Sequence, residues 1–237
     1  MRDQPEQQAP PVQRLRVRYA KRGRLRFTSH RDFSRAFERA LVRARIPMAY
    51  SSGFNPHPRI SYAGASPTGA ASEAEYLEIG LAETVDPTRL AQDLDDALPT
   101  GLDVLEVVEA RSGSLADRLE ASRWQIDLDD TAPDVAAATV EAFLARESVS
   151  VERMTKKGLR TFDSRAAVVA ADVAAHDGGS RLTVLLRHTE PVVRPDDVLT
   201  ALRQVGGLAE AGTPSVTRLE QGPLDAATGA IGNPLSM

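Results

Sequence analysis

The sequence contains no cysteine among its 237 residues. That absence excludes disulfide bonds, zinc sites built on thiolates, a cysteine nucleophile and an iron–sulfur cluster held by this chain alone. Aromatic residues are also scarce, at 5% of the sequence. No apolar run approaches the roughly 18 to 20 residues that a membrane-spanning helix needs, and the N-terminus lacks the hydrophobic core of a signal peptide. We therefore expect a soluble, cytoplasmic protein with no membrane contact.

Motifs that bind nucleotides or metals are missing as well. The sequence has neither a GxxxxGK(S/T) nor a GxGxxG pattern, the glycine-rich loops that hold phosphates at the start of a helix. Its histidines do not fall at the spacings with which helices or strands present metal ligands. They are His30, His57, His176 and His188. The sequence therefore predicts no cofactor and no metal site in this chain.

Positive charge is concentrated at the start of the chain. Residues 1–60 hold 14 Lys and Arg against 4 Asp and Glu, a net charge of +10, whereas residues 61–237 carry a net charge of −14. A polyanion such as RNA would be attracted to the first segment and repelled by the second. The alternative is a general preference for arginine over lysine, because Lys21, Lys156 and Lys157 are the only lysines in the sequence.

The strongest local pattern is an amphipathic helix from His30 to about Arg45. Phe33, Phe37 and Leu41 recur at the helical period and form an apolar face, while Ser29 is suited to cap the first turn. Outside that face, cations recur at every fourth position, at Arg31, Arg35, Arg39 and Arg43. Like charges at this spacing repel by about 0.2–0.5 kcal/mol per pair. The row therefore indicates an anionic partner or, as the alternative, a solvated basic face.

The loop that follows the helix reads Ser52-Gly53-Phe54-Asn55-Pro56-His57-Pro58-Arg59. Its two prolines fix φ and push the residues before them into extended conformations, while its glycine is free to adopt positive φ. Because Phe54 is large and apolar, it should either pack into the core or stack on a ligand. Asn55 and His57 carry donors and acceptors that suit either the backbone of the loop or the edge of a base. We predict that this segment is a functional loop.

A second basic segment lies far along the chain, where Lys156, Lys157 and Arg160 surround Gly158. It could bind phosphates, or it could be the polar tip of a β-hairpin. Together with the four arginines of the predicted helix, these three cations are the predicted RNA- or anion-binding residues.

The order of elements predicts two similar α+β units. Alternating residues indicate strands and apolar residues at helical spacing indicate helices, in the order β-α-β-β-α-β within residues 12–115 and again within 121–222. We therefore expect two tandem ferredoxin-like (split β-α-β) units with antiparallel sheets and helices on one face. The composition of residues 1–11 and 226–237 predicts a disordered lead and a flexible tail.

Leu25–Phe27 is expected to resume the alternation of the first strand after a turn. Thr161–Ala170 is expected to form a single strand after the Lys-Lys-Gly turn. The helix that carries the row of arginines and the loop Ser52–Arg59, which we call the proline-rich loop, would both belong to the first unit.

Several of these motifs together resemble a known family. They are the run Phe27-Thr28-Ser29-His30-Arg31-Asp32, the helix end Arg43-Ala44-Arg45-Ile46-Pro47, the loop from Tyr50 to Ile60, and the later Lys156-Lys157-Gly158 and Val193-Arg194-Pro195. The set resembles the radical-SAM-associated domain family of unknown function over most of residues 12–220. In that family the domain is either a C-terminal extension of a cobalamin-binding-type radical S-adenosylmethionine protein or a separate small chain encoded beside one. This sequence resembles the separate form.

The resemblance implies a partner rather than an activity. The partner would be the neighbouring radical S-adenosylmethionine protein, and it would carry the iron–sulfur cluster and the S-adenosylmethionine, with neither bound by this chain. We therefore expect an accessory protein, without independent enzymatic activity, that binds or presents an RNA or ribosome-associated substrate for modification.

Two other functions stay open at the level of the sequence. The chain could be a free-standing, metal-independent endoribonuclease that uses His30 or His57 in acid–base chemistry. It could also be a structural module whose basic face docks an acidic protein. The RNA hypothesis rests on the basic N-terminal segment, the row of arginines and the availability of Phe54, Tyr50 and Tyr62 for stacking on bases.

Overall fold

The structure, a computed structural model, describes residues 7–155, 158–208 and 213–236. The chain forms two compact units, which we call unit 1 (Met1–Arg118 with Pro234–Met237) and unit 2 (Leu119–Asn233). In both units strands and helices alternate along the chain, so the α+β class predicted from the sequence is confirmed. Within the described ranges no helix is both long and apolar enough to cross a membrane.

Unit 1 has one β-sheet with two helices. Its elements are β1 (Gln13–Lys21), α1 (His30–Arg43), β2 (Ile60–Ala63), β3 (Ala71–Leu81), α2 (Pro87–Ala97) and β4 (Leu102–Glu109). The strands lie in the spatial order β4-β1-β3-β2, and each neighbouring pair is antiparallel. This β-α-β-β-α-β chain order is the ferredoxin-like arrangement that the sequence predicts.

The core of unit 1 lies between one face of this sheet and the two helices. Leu15 of β1 is fully buried, and Phe37 of α1 and Leu94 of α2 belong to the same apolar cluster. Tyr19 stacks on Phe33 of α1 with the ring centroids 4.7 Å apart. Both helices therefore cover the same face of the sheet, which leaves their outer surfaces for other contacts.

The opposite face of the unit 1 sheet buries an arginine. Arg16 alternates with the core residues of β1 and is 1% exposed. Its guanidinium donates to the Glu78 carboxylate at 3.2 Å, and to the backbone carbonyl oxygens of Arg111 and Gly113 at 3.1 and 2.6 Å. Because a buried charge is tolerated only when it is paired and hydrogen-bonded, these contacts are part of the fold. Some of the positive charge of residues 1–60 is therefore structural.

Unit 2 repeats the same arrangement with one insertion. Its elements are β5 (Ala121–Leu128), α3 (Pro133–Leu144), β6 (Ser150–Thr155), β7 (Gly158–Asp163), β8 (Val168–His176), β9 (Gly179–Arg187), α4 (Pro195–Val205) and β10 (Ser215–Gly222). The main strands lie in the order β10-β5-β9-β8, again with antiparallel neighbours. The insertion is the hairpin β6–β7, which forms a separate two-stranded sheet between α3 and β8.

The prediction of a single strand over Thr161–Ala170 is wrong, because the chain turns at Asp163. The Asp163 carboxylate accepts hydrogen bonds from the backbone N–H groups of Val149 and Arg165, at 3.0 and 2.9 Å. Burial acts to raise the pKa of Asp163, but these two hydrogen bonds, together with others from Ala166 and Ser148, outweigh it and the pKa is lowered. A short 3₁₀ turn then leads into β8, so the strand of the hairpin and the strand of the main sheet are separate.

The prediction that Leu25–Phe27 resumes a strand is also wrong. Gly23–Phe27 forms a 3₁₀ turn, in which the N–H of Leu25 donates to the carbonyl of Arg22 and the N–H of Thr28 donates to that of Leu25. Gly23 enters the turn with φ of +55°, a left-handed conformation that glycine adopts readily. Alternation over three residues is too short to distinguish a strand from such a turn.

The chain after β10 makes specific contacts, in contrast to the flexible tail expected from residue 226. Leu224 and Ile231 form an isolated β-bridge, and Leu235 is buried. Arg118 donates to the carbonyl oxygen of Ser236 at 2.8 Å. A single buried leucine in a short stretch rich in alanine and glycine is too weak a signal to reveal these contacts.

Helix α1 ends at a residue under backbone strain. Arg45 has a φ of +54°, a left-handed conformation that is unfavourable for most residues other than glycine. The N–H of Arg45 donates to the carbonyl of Val42, and the N–H of Ile46 donates to the carbonyl of Leu41. Helix ends with such bonds usually carry glycine at the left-handed position. We expect Arg45→Gly to raise the free energy of unfolding, by roughly 1 kcal/mol or less, because it removes this strain.

Thermal or urea unfolding would measure this change. Arg39→Gly is the matched control, since it replaces another exposed arginine inside α1 and should lower the free energy of unfolding by about 1 kcal/mol. A lower melting temperature for Arg45→Gly than for the wild type would contradict the assignment of strain to this helix end.

Candidate nucleic-acid interface

The outer surface of α1 presents four guanidinium groups to solvent. Ser29 caps the helix by accepting a hydrogen bond from the N–H of Asp32 at 3.2 Å, as its position in the sequence predicts. The four arginines are exposed, and we call them the arginine row: Arg31, Arg35, Arg39 and Arg43. None of them forms an ion pair with any residue that the structure describes. Their positive charge is therefore available to a ligand.

The two ends of the proline-rich loop are joined by backbone and side-chain contacts. Tyr50 and Pro58 form an isolated β-bridge. The N–H of Ser51 donates to the His57 carbonyl oxygen at 2.8 Å, and the N–H of His57 donates to the Ser51 hydroxyl at 3.0 Å. The Arg59 side chain donates to the carbonyl oxygen of Tyr50 at 3.1 Å. These four contacts fix the base of the loop and use no side-chain group from its tip.

The tip of the loop is exposed. Phe54 is 68% exposed, so it does not pack into the core, which was one of its two expected roles. Gly53 precedes it with φ of +130°, and Ser52 accepts a hydrogen bond from the N–H of Gln8 at 2.9 Å. The side chains of Asn55 and His57 are exposed and make no hydrogen bond to the described part of the chain. The loop therefore presents a phenyl ring and two uncommitted polar groups.

The two histidines proposed for acid–base chemistry have different surroundings. The ring of His30 packs edge-on against Tyr62 with the centroids 4.8 Å apart, and Tyr62 also contacts Phe33 of the core. Burial raises the pKa of the Tyr62 hydroxyl. His57 lies in the exposed loop, and over the described ranges no hydrogen bond or ring contact links it to His30. Tyr62 is less available for stacking than Phe54 or Tyr50, since its ring already packs against two others.

The second basic segment lies on the hairpin β6–β7. Lys156 and Lys157 fall outside the described residues, and Arg160 on β7 is exposed. Arg153, opposite Arg160 in the strand register, forms an ion pair with Asp197 at the start of α4. Burial raises the pKa of Asp197, although Arg153 and a backbone hydrogen bond act against this. The paired positions of the two strands thus carry one arginine that is held in an ion pair, Arg153, and one that is exposed, Arg160.

Unit 2 contains a polar network that the sequence analysis misses. The Ser122 Oγ and His188 Nε2 lie 2.9 Å apart, the separation expected of a nucleophile and its general base. The indole N–H of Trp124 donates to the same hydroxyl at 2.9 Å. The Nδ1 of His188 lies 2.6 Å from the carbonyl oxygen of Leu119. Because a carbonyl only accepts, Nδ1 carries the proton and Nε2 accepts from Ser122.

This network is structural. Ser122 is 2% exposed, so a substrate cannot reach its hydroxyl, and the polar groups of all three side chains are already hydrogen-bonded to one another or to Leu119. Burial lowers the pKa of His188, with a further lowering by the positive charge of Arg218, so the neutral ring is favoured. The i, i+2 spacing of Ser122 and Trp124 on β5 could indicate their shared face, but not the histidine that reaches them from the end of β9.

The described residues also contain no group of three or more acidic or histidine side chains placed to hold a metal ion. The exposed groups offer several ways to hold a ligand: guanidinium groups for anions, a phenyl ring for stacking and amide and imidazole groups for hydrogen bonds. These groups belong to α1 and to the loop that follows it in unit 1.

The fold defines a protein of two tandem ferredoxin-like units, with an exposed basic helix and a proline-rich loop in the first. The chain belongs to a family described as an uncharacterized protein conserved in bacteria (DUF2344), whose profile matches residues 14–195. That match runs from β1 to the start of α4 and includes α1, the proline-rich loop and the hairpin. A search of curated proteins finds no match.

The His188 network predicts a pH dependence of stability. In the folded protein the pKa of His188 is lowered by burial, whereas an unfolded chain has a value of about 6.5. As the pH falls below about 6.5 towards the folded pKa, the unfolded chain takes up a proton that the folded protein does not, so the free energy of unfolding decreases. Above about pH 6.5 this contribution is fully present.

We expect His188→Gln to remove this part of the pH dependence, measured by urea unfolding at neutral and mildly acidic pH. His57→Gln is the control, since it makes the same substitution at an exposed histidine outside this network. Equal slopes of stability against pH in His188→Gln and the wild type would show that His188 is not held neutral by this network.

Proposed function

We propose that this protein binds RNA through the arginine row and works as an accessory protein of a radical S-adenosylmethionine enzyme. The enzyme would modify that RNA or a ribosome-associated substrate, and this chain would bind or present it. The observation that carries the RNA part is the exposure of four guanidinium groups along one helix, with no ion pair to any described residue.

The arginine row has an energetic cost that an anionic ligand would offset. Like charges four residues apart on a helix repel by about 0.2–0.5 kcal/mol per pair. From Arg31 to Arg43 the row extends about 18 Å, at a rise of roughly 1.5 Å per residue. This length suits an extended chain of phosphates better than one small anion. Guanidinium groups bind phosphate oxygens in a planar, two-pronged geometry, and each phosphate neutralised releases bound counterions.

Other arginines of unit 1 are paired with carboxylates inside the fold, and this contrast supports the arginine row as the RNA-binding surface. Arg16 is buried against Glu78. Arg22 pairs with both Glu73 and Asp103, and the hydrogen bond that it donates to Glu73 raises the pKa of Arg22. The charge of these two arginines is used within the fold. The row on α1 has no such partner among the described residues, so its charge favours a ligand from outside.

The partnership with an enzyme rests on the sequence resemblance and on composition. The motifs that resemble the radical-SAM-associated family include the end of α1 and the proline-rich loop, both of which carry exposed side chains. Since the chain has no cysteine, the iron–sulfur cluster and the S-adenosylmethionine would belong to the partner. In such a complex this chain would contribute affinity for the RNA and the enzyme would contribute the chemistry.

The arginine row can be tested through the salt dependence of RNA binding. We expect the double variant Arg35→Glu, Arg39→Glu to weaken binding by a similar factor for RNAs of different sequence, because phosphate contacts carry no sequence information. The slope of log affinity against log salt concentration should become less steep by roughly 1.4 to 1.8, the loss of two phosphate contacts. Fluorescence anisotropy with labelled RNA over a salt series gives both quantities.

The matched control is Arg146→Glu, Arg187→Glu, which changes the net charge equally at two exposed arginines of unit 2. It should leave the slope close to that of the wild type. An unchanged slope in the α1 variant, or an equal change in both variants, would remove the arginine row as the RNA-binding surface.

The partnership can be tested by co-expression with the radical S-adenosylmethionine protein encoded nearby. We expect the two chains to co-purify, with the iron–sulfur absorption present in the complex and in the partner alone but not in this chain. Failure of the two chains to associate at micromolar concentration, with RNA present, would refute the partnership. RNA cleavage by the isolated chain, lost in His30→Ala or His57→Ala, would instead support an endoribonuclease.

A further inference from the structure

The most exposed aromatic side chain of the described residues is Phe54, at 68% exposure. A phenylalanine that packs into a core stabilises a protein by about 1.5–3 kcal/mol, and at Phe54 most of this stabilisation is absent. Packing in the core therefore does not explain why a phenylalanine stands at this position.

The ring of Phe54 differs in its contacts from two other rings of unit 1. Phe27, the next most exposed phenylalanine at 59%, carries the guanidinium of Arg26 over its ring at 4.8 Å. Tyr62 is packed against His30 and Phe33. For Phe54 the described residues provide no aromatic or cationic neighbour of this kind. Of these rings, Phe54 is the one available to stack on a flat ligand.

The loop around Phe54 is organised before any ligand binds. The bridge between Tyr50 and Pro58 and the two hydrogen bonds between Ser51 and His57 close the loop at its neck. The two prolines within it restrict the backbone further. A ligand that stacks on Phe54 would therefore order few degrees of freedom, which lowers the entropic cost of binding.

Polar groups flank the ring. The side chains of Asn55 and His57 are exposed, and neither makes a hydrogen bond to a described residue. An amide and an imidazole each offer both a donor and an acceptor, the combination that matches the edge of a nucleobase. A phenyl ring beside such groups is the usual means by which proteins hold an unpaired base of RNA.

We propose that the proline-rich loop captures one unpaired base of RNA. The base would stack on Phe54, and Asn55 or His57 would form hydrogen bonds with its edge. This inference rests on the proposed function, and it narrows the substrate to RNA with a single-stranded loop, bulge or end. Bases in an intact duplex are stacked on each other and cannot reach the ring. The arginine row would bind either form, whereas the loop would select the one with a free base.

The test compares two RNA probes, a hairpin with a single-stranded loop and a blunt duplex of the same stem. We expect Phe54→Ala to weaken binding of the hairpin about 5- to 150-fold, the loss of one stacked base. Binding of the duplex, the salt slope and the melting temperature should stay as in the wild type, because the ring contacts neither phosphate nor core. Phe27→Ala is the matched control and should bind both probes normally.

Phe54→Trp provides a direct readout of stacking. The chain has one tryptophan, Trp124, which is buried at 4% exposure, so the fluorescence of the new indole would report on the loop. We expect this variant to keep the affinity for the hairpin and to show quenching when the hairpin binds, but not when the duplex binds.

The outcomes separate this inference from the function on which it rests. If the wild type binds neither probe, the proposed RNA binding fails and the inference fails with it. If the wild type binds and Phe54→Ala binds the hairpin equally well, or loses both probes equally, only the stacking site is overturned. If Phe54→Ala keeps RNA binding but no longer associates with the radical S-adenosylmethionine chain, the ring docks a protein and the inference is also overturned.

Discussion

The proposed interface depends on which face of α1 packs against the core, because that packing fixes the orientation of the helix about its own axis. Phe33, Phe37 and Leu41 bury their side chains in the core of unit 1. Burial of side chains of this size stabilises the fold by about 1.5–3 kcal/mol each, several times the repulsion of about 0.2–0.5 kcal/mol between neighbouring arginines. The apolar contacts therefore decide the orientation of the helix, and the arginine row must face outwards whatever its electrostatic cost.

The periods of apolar residues along the sequence predict most of the fold. Helical and alternating periods identify the main helices and strands, and two β-α-β-β-α-β series lead to the ferredoxin-like units that the structure contains. The elements that periodicity misses depend on distant groups. The turn after β1 begins where the N–H of Arg22 donates to the carbonyl of Gly101, and β7 ends where Asp163 accepts from the backbone of Val149. No local pattern contains those partners.

Prediction of the candidate interface from the sequence is limited in the same way, because it also depends on partners that are distant in the sequence. The sequence shows that arginines recur on α1 and in β1, but it does not show which of them are already paired. Arg16 in β1 is buried with Glu78, and Arg153 on the hairpin is paired with Asp197, both by residues more than forty positions away. The arginines of α1 could be predicted to be exposed because the helical period places them away from the core. The absence of carboxylate partners within the described ranges is visible only in three dimensions.

Hydrogen bonding separates the polar groups that build this protein from those that are free to bind. Ser122 and His188 have the distance of a catalytic pair, yet Ser122 is buried and the hydrogen-bonding capacity of both side chains is taken up by each other, by Trp124 and by a backbone carbonyl. Asn55 and His57 show no such geometry, but their side chains are exposed and uncommitted. A ligand gains from a donor or acceptor only if the protein has not already used it. Phosphate contacts position an RNA and base contacts select it, so a helix that supplies charge and a loop that supplies free polar groups beside a bare ring would divide these two tasks between them.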